Sequence, residues 1–140
     1  MTYRVTRHID APPETVWAAL TDAGRLASGR YGITGLTGAL RDGGRIALKA
    51  EVSGSRTFRL LVAIPEPGRR MTWTGGMPFG PFTGRRQFRL SPEGKGTRFE
   101  MQETFTGPLS GPISRSIPDL TASFETFAAA LDHDSRRMTT

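Results

Sequence analysis

Between residues 40 and 106 the chain repeats one pattern five times. Apolar side chains recur at alternate positions in Ile46, Leu48, Ala50 and Val52, in Phe58, Leu60, Val62 and Ile64, in Met71 and Trp73, in Phe88 and Leu90, and in Phe99, Met101 and Phe105. That period puts the apolar groups of each run on one face of a strand and its polar groups on the other. Turn formers separate the runs at Arg41-Asp42-Gly43-Gly44, Ser53-Gly54-Ser55, Pro65-Glu66-Pro67-Gly68 and Ser91-Pro92-Glu93-Gly94-Lys95-Gly96. Connections this short join neighbouring antiparallel strands. The outcome is a sheet with one apolar face, which is stable only when another element covers it.

The end of the chain supplies that cover. Ile117, Leu120, Phe124, Phe127, Ala128 and Leu131 recur at helical spacing, and Pro118 and Asp119 mark the helix start. Ahead of the meander, Thr2 to Ile9 alternates with Tyr3, Val5 and Ile9 on one face, interrupted by Arg7. Asp10-Ala11-Pro12-Pro13-Glu14 turns the chain into a short helix carrying Val16, Trp17 and Leu20, and Asp22 caps a second short turn through Leu26. A glycine-interrupted strand follows around Tyr31, Ile33 and Leu36. With no linker and no internal repeat, residues 1–140 read as a single α+β domain. Its sheet is curved and antiparallel, of about six or seven strands, wrapped around the long C-terminal helix, with two short helices after the first strand. A curved sheet and a straight helix leave space between them, so the expected site is a cavity there.

Counting excludes several chemistries. The chain has no cysteine, which removes disulfides, thiolate metal sites and a thiol nucleophile and fits a reducing cytoplasm. His8 and His133 are the only histidines, too few for a histidine zinc site, and serine catalysis lacks both a G-x-S-x-G elbow and a base. Neither a metal nor a cofactor is expected. No run of apolar residues is long enough for a transmembrane segment, and none follows the N-terminal charges as a secretion signal requires. The formal charge of +6 raises nucleic acid as a partner. Alternation, however, sends Arg45, Lys49, Arg59, Arg85, Arg89 and Arg98 to the outer face among Glu51 and Glu100, with no aromatics between them. A solvated sheet face accounts for most of the excess, and no specific nucleic acid is expected.

The inward charges are more informative. Alternation turns Glu103 inward with Phe99, Met101 and Phe105, Arg86 inward with Phe88 and Leu90, and Arg56 inward with Phe58 and Leu60. A carboxylate on an apolar face has either a raised pKa or a cation beside it. Either state makes Glu103 the candidate acid/base or ligand anchor, although an Arg–Glu pair also serves simply to fix strand register. The loop Gly75-Gly76-Met77-Pro78-Phe79-Gly80-Pro81-Phe82 cannot continue the sheet. Its apolar groups cover the cavity mouth, pack against Leu109 and Ile113 on the opposite rim, or contact a second copy of the chain as a homodimer. Tyr31 is the other aromatic whose glycine-rich setting favours the mouth. The candidate ligand contacts are Arg56, Phe58, Trp73, Arg86, Phe88, Met101 and Glu103 from the sheet, Met77 and Phe79 from the loop, and Phe124 from the helix.

The segments Ile9-Asp10-Ala11-Pro12-Pro13-Glu14-Thr15-Val16-Trp17 and Leu20-Thr21-Asp22, the turn Asp42-Gly43-Gly44, the Glu103-Thr104-Phe105 strand and the final helix through Phe124-Glu125-Thr126-Phe127-Ala128-Ala129-Ala130-Leu131 together resemble the SRPBCC superfamily. This superfamily, also called START-like or polyketide cyclase/dehydrase-like, has the helix-grip fold, and the resemblance spans nearly the whole chain. It implies a pocket for a hydrophobic or polycyclic small molecule, lipid or polyketide-like. It equally admits a cyclase, dehydratase or hydrolase using that pocket with Glu103 as acid/base, because a fold does not fix a function.

Overall fold

The computed structural model describes residues 2–51, 54, 56–76, 79–116 and 119–139. Among them the elements run β1 (Thr2–Ile9), α1 (Pro13–Leu20), α2 (Ala23–Leu26), β2 (Ile33–Gly38), β3 (Arg45–Ala50), β4 (Phe58–Glu66), β5 (Arg70–Gly76), β6 (Thr83–Glu93), β7 (Gly96–Thr106), α3 (Ser110–Ser116) and α4 (Thr121–Thr139). The strands form one antiparallel sheet in the order β1-β7-β6-β5-β4-β3-β2. Only β1 leaves the meander order, pairing with the last strand, and α1 and α2 lie in the crossover from β1 to β2. This is the curved sheet, long C-terminal helix and pair of early helices that the sequence predicts.

Local chemistry explains the boundaries. Pro13 opens α1 with Glu14 in its first turn, and the Asp22 carboxylate accepts the Arg25 N–H at 3.1 Å to start α2. The β6–β7 hairpin turns at Gly94, which takes φ +60°, and runs in unbroken register from Glu93↔Gly96 to Thr83↔Thr106. At α4 the Asp119 carboxylate accepts the Thr121 N–H at 2.9 Å, so the helix starts a little later than Pro118 suggests. Ile117 and Pro118 themselves, like Met77, Pro78, Val52, Ser53 and Ser55, lie outside the described residues. A helix, α3, stands where the sequence reads a plain rim loop. Gly111 and Pro112 argue against a helix interior, but both fall in its first turn, where a missing N–H breaks no helical bond.

Pairing register arranges the inner face in rows across the strands. One row is Val5, Met101, Phe88 and Met71; the next is Arg7, Phe99 and Leu90. These side chains are buried apart from Arg7, and Phe127 of α4 packs over them, with ring centroids 5.9 Å from Phe88, 6.3 Å from Phe99 and 5.1 Å from Tyr31. Arg7, the interruption in β1, has a partner: its Nε donates to Asp132 of α4 at 2.7 Å. Tyr31 is buried rather than at a mouth, and its hydroxyl donates to Asp134 of α4 at 2.8 Å. The C-terminal half of α4 is thus fastened by ion pairs and the N-terminal half by rings.

Candidate functional site

One row of the inner face behaves differently from the rest. Tyr3, Glu103, Arg86, Trp73 and Val62 stand side by side on β1, β7, β6, β5 and β4. Arg86 Nε donates to Glu103 Oε2 at 3.2 Å, and the guanidinium carbon lies 4.9 Å from the centroid of Phe124 on α4. The two side chains keep 20% and 15% of their surface in solvent. Charge pairing and the aromatic face hold the arginine on an apolar surface without full dehydration of either partner. Of the two states expected for an inward carboxylate, the paired one is present.

Beyond this row the sheet changes character. Gly84 and Gly75 are register partners, so two adjacent strands present no side chain there. A Cβ on Gly75 would sit 2.6 Å from Leu60 Cδ2, and one on Gly84 would sit 3.3 Å from the Phe105 ring. Leu60 and Phe105 therefore reach across onto the glycine backbone from either side, Phe82 stacks on Phe105 at 5.5 Å, and Phe58 on β4 is 38% exposed. The inner face is closed by rings at one end and opens at the other onto an apolar shelf. Glu103 Oε1 faces that shelf, 3.7 Å from the position of a Gly84 Cβ, and accepts no hydrogen bond among the described residues. In the same row the indole N–H of Trp73 is buried without an acceptor among the described residues. Arg86 and Glu103 thus offer a guanidinium donor and one free carboxylate oxygen at the edge of an apolar surface, a pattern able to orient a molecule carrying both a hydroxyl and a carbonyl.

The sequence candidates divide accordingly. Arg86, Glu103, Trp73 and Phe124 come together, with Phe58 at the margin. Phe88 and Met101 lie one row deeper and are closed off from solvent. Arg56 sits in exposed coil ahead of β4 and forms no pair with Glu103, because alternation persists only as far as the strand, which starts at Phe58. Phe79 points into solvent at the tip of its loop with φ 68°, and the base of that loop is tied to the rim by the Leu109 N–H donating to Pro81 O at 2.8 Å. Met77 lies outside the described residues. Alternation could have found Gly84 and Gly75, which are in phase with Arg86 and Trp73.

The expected cavity between sheet and α4 is largely occupied by the rings of Phe88, Phe99, Phe127 and Tyr31. Two surface depressions open elsewhere: one of about 510 Å3 on the outer face of β2 to β5, and one of about 290 Å3 beside Glu66, Arg70 and Arg89. No group of three or more metal-ligating side chains occurs among the described residues, and no helix among them is long and apolar enough to cross a membrane.

Comparison with known proteins agrees with this architecture. A protein of Mesorhizobium loti is similar over 100% of both chains at 22% identity and a TM-score of 0.76. A START superfamily protein of Mycobacterium smegmatis is similar over 99% of both chains, at 19% identity and a TM-score of 0.72. CalU16 of Micromonospora echinospora is 27% identical, covering 96% of this chain and 65% of its own, with a TM-score of 0.69. No curated protein matches the chain. The family model described as polyketide cyclase / dehydrase and lipid transport matches residues 1–134. A match of that extent, on a chain with this strand order and this terminal helix, places the protein: it belongs to the polyketide cyclase / dehydrase and lipid transport family.

Proposed function

We propose that the protein binds an apolar, polycyclic or lipid-like small molecule on the open end of its inner sheet face, with Arg86 and Glu103 as the polar anchor. The observation that carries this reading is the unengaged Glu103 Oε1 beside the glycine-floored shelf of Leu60 and Phe105. A purely structural ion pair is better served by engaging both carboxylate oxygens. Family membership supports the ligand class. The absence of cysteine suits a reducing cytoplasm.

The test is an amide NMR titration with 2-hydroxyanthraquinone, a polycyclic probe with one hydroxyl and two carbonyls. Saturable shifts concentrated at Gly75, Gly84, Arg86 and Glu103 are the expected result. Shifts scattered over the surface, or none at saturation, overturn the proposal. The free oxygen also supports a second reading, in which Glu103 accepts a proton from bound substrate in a cyclase or dehydratase reaction. Glu103→Gln separates the two, since an enzyme loses turnover of its substrate while a binder keeps most of its affinity. Phe79, fully exposed, has a competing use as a contact between two copies of the chain. Sedimentation at rising concentration detects it.

A further inference from the structure

The basic charge of the outer face is not evenly neutralised. Arg98 pairs with Glu100 at 2.7 Å, and Arg70 pairs with Glu66, both towards the end of the sheet that carries the β4–β5 and β6–β7 turns. At the other end, register sets Arg45, Leu61, Thr74 and Arg85 in one row on β3, β4, β5 and β6. The adjoining row is Thr37, Ala47 and Arg59 on β2, β3 and β4. Neither row contains a carboxylate. The nearest acid along the chain, Asp42, is engaged by the Ile64 N–H at 2.8 Å. Arg45, Arg59 and Arg85 are exposed and make no ion pair among the described residues. Arg45 and Arg59 lie on neighbouring strands, where like charges oppose each other, so these two guanidinium groups without an anion cost stability.

Apart from Arg85, the same rows line the depression of about 510 Å3, with Ile46, Leu60 and Gly75 between them. Ala47 is too small to fill it, and Gly38 and Gly76 at its edge have φ +104° and +149°, where a Cβ would strike the backbone of Arg45 or Phe82. Leu61, 45% exposed, stands inside with arginines around it and does nothing for the core. The floor is recessed between side chains, which a flat bilayer does not reach, and neither row carries an aromatic on which a base could stack.

We propose that this depression is a second binding site, on the face opposite the first, for an organic anion. Arg45 and Arg59 would take its carboxylate or phosphate, and Leu61 and Ala47 its short apolar stem. Guanidinium forks match either head group in two-point geometry. Leu60 and Gly75 border this depression as well as the inner shelf, but Arg86 and Glu103 do not, so the site stands or falls independently of that pair.

The probes are hexyl phosphate, hexanoate, hexanol and inorganic phosphate, each titrated by amide NMR into the whole chain. The expected result is saturable shifts at Ala47, Arg59, Leu61 and Thr74, with one of the hexyl anions binding at least about tenfold tighter than hexanol and inorganic phosphate. The tighter of the two identifies the head group. Arg45→Gln with Arg59→Gln, and separately Ala47→Leu, each weaken that binding about tenfold or more, whereas Arg89→Gln, on the same face but outside the site, leaves it unchanged. Unchanged far-ultraviolet circular dichroism and Tm check that the variants fold. Equal binding of inorganic and hexyl phosphate means an adventitious ion only and overturns the proposal. Full affinity in Ala47→Leu also overturns it, as does an equal loss in Arg89→Gln.

Discussion

Tyr31 donates its hydroxyl to Asp134 at 2.8 Å inside the protein, joining the segment ahead of β2 to the C-terminal half of α4. Arg30 holds the same carboxylate at 2.6 Å and Arg25 approaches to 3.5 Å. Burial alone would raise the Asp134 pKa, but the Arg30 and Tyr31 hydrogen bonds and the two arginine charges outweigh it and hold the carboxyl below its ordinary range. Tyr31 moves the other way, pushed up first by burial and then by its bond to the carboxylate.

Removing that hydroxyl tests the joint. Tyr31→Phe leaves Asp134 its arginines but deletes one buried hydrogen bond, at a cost of about 1–3 kcal/mol. The expected Tm fall is about 3–10 °C at neutral pH by calorimetry. An unchanged Tm means that the bond contributes nothing net.

The same pair sets two pH limits. A carboxyl depressed in the folded state contributes stability that is complete above its unfolded value, 3.8, and lost as the pH falls through the folded pKa. A phenol raised in the folded state contributes stability that is complete below its unfolded value, 10.0, and lost as the pH rises beyond it. Tm measured against pH should therefore decline below about 4 and above about 10. Tyr31→Phe should flatten the alkaline limb and keep the acid one.

His8 gives a milder effect at the surface. Its Nδ1 lies 2.7 Å from Glu93 and its Nε2 lies 2.9 Å from Asp10, and the hydrogen bonds to Glu93 and then Asp10 raise its pKa above 6.5. A raised histidine adds stability that is complete below the unfolded pKa and fades as the pH rises through the folded one. A proton NMR titration of the ring should give a midpoint above 6.5 that returns towards it in Glu93→Gln. A midpoint unmoved by that change contradicts the assignment.

The two shelf glycines should respond differently to a methyl group. On Gly75 it meets Leu60 and the Arg59 carbonyl, 2.8 Å away, and backbone cannot yield cheaply. Gly75→Ala should lose about 1–3 kcal/mol in denaturant unfolding. On Gly84 it meets only the Phe105 ring at 3.3 Å and the Glu103 carboxylate at 3.7 Å, which can shift by tenths of an ångström. Gly84→Ala should stay within about 1 kcal/mol of the parent. Equal losses would mean that the shelf is not built as described.

The sheet was legible in the sequence because alternation is long and its turns are strong. The inward Arg86 and Glu103 follow from counting by twos along β6 and β7, which pair without a bulge. Arg56 fails the same count because the chain around it has left the strand. Alternation also foresaw an exposed, basic outer face but not which of its arginines lack an acidic neighbour, since cross-strand neighbours depend on register. The Asp134 cluster was hidden for a related reason. Two acids on the buried face of a helix need partners, but nothing local names Tyr31, Arg30 or Arg25 as those of Asp134.

The inner site is tested most directly by a pair of affinities. In the parent protein 2-hydroxyanthraquinone should bind about tenfold tighter than anthracene, because the hydroxyl and carbonyl each gain about 0.7 kcal/mol at Glu103 and Arg86. The double change Arg86→Met with Glu103→Leu replaces the ion pair by apolar groups of similar size, which folded proteins tolerate. It should bring the two affinities together, with anthracene binding retained. A tenfold preference that survives the double change, or no preference in the parent, contradicts the account.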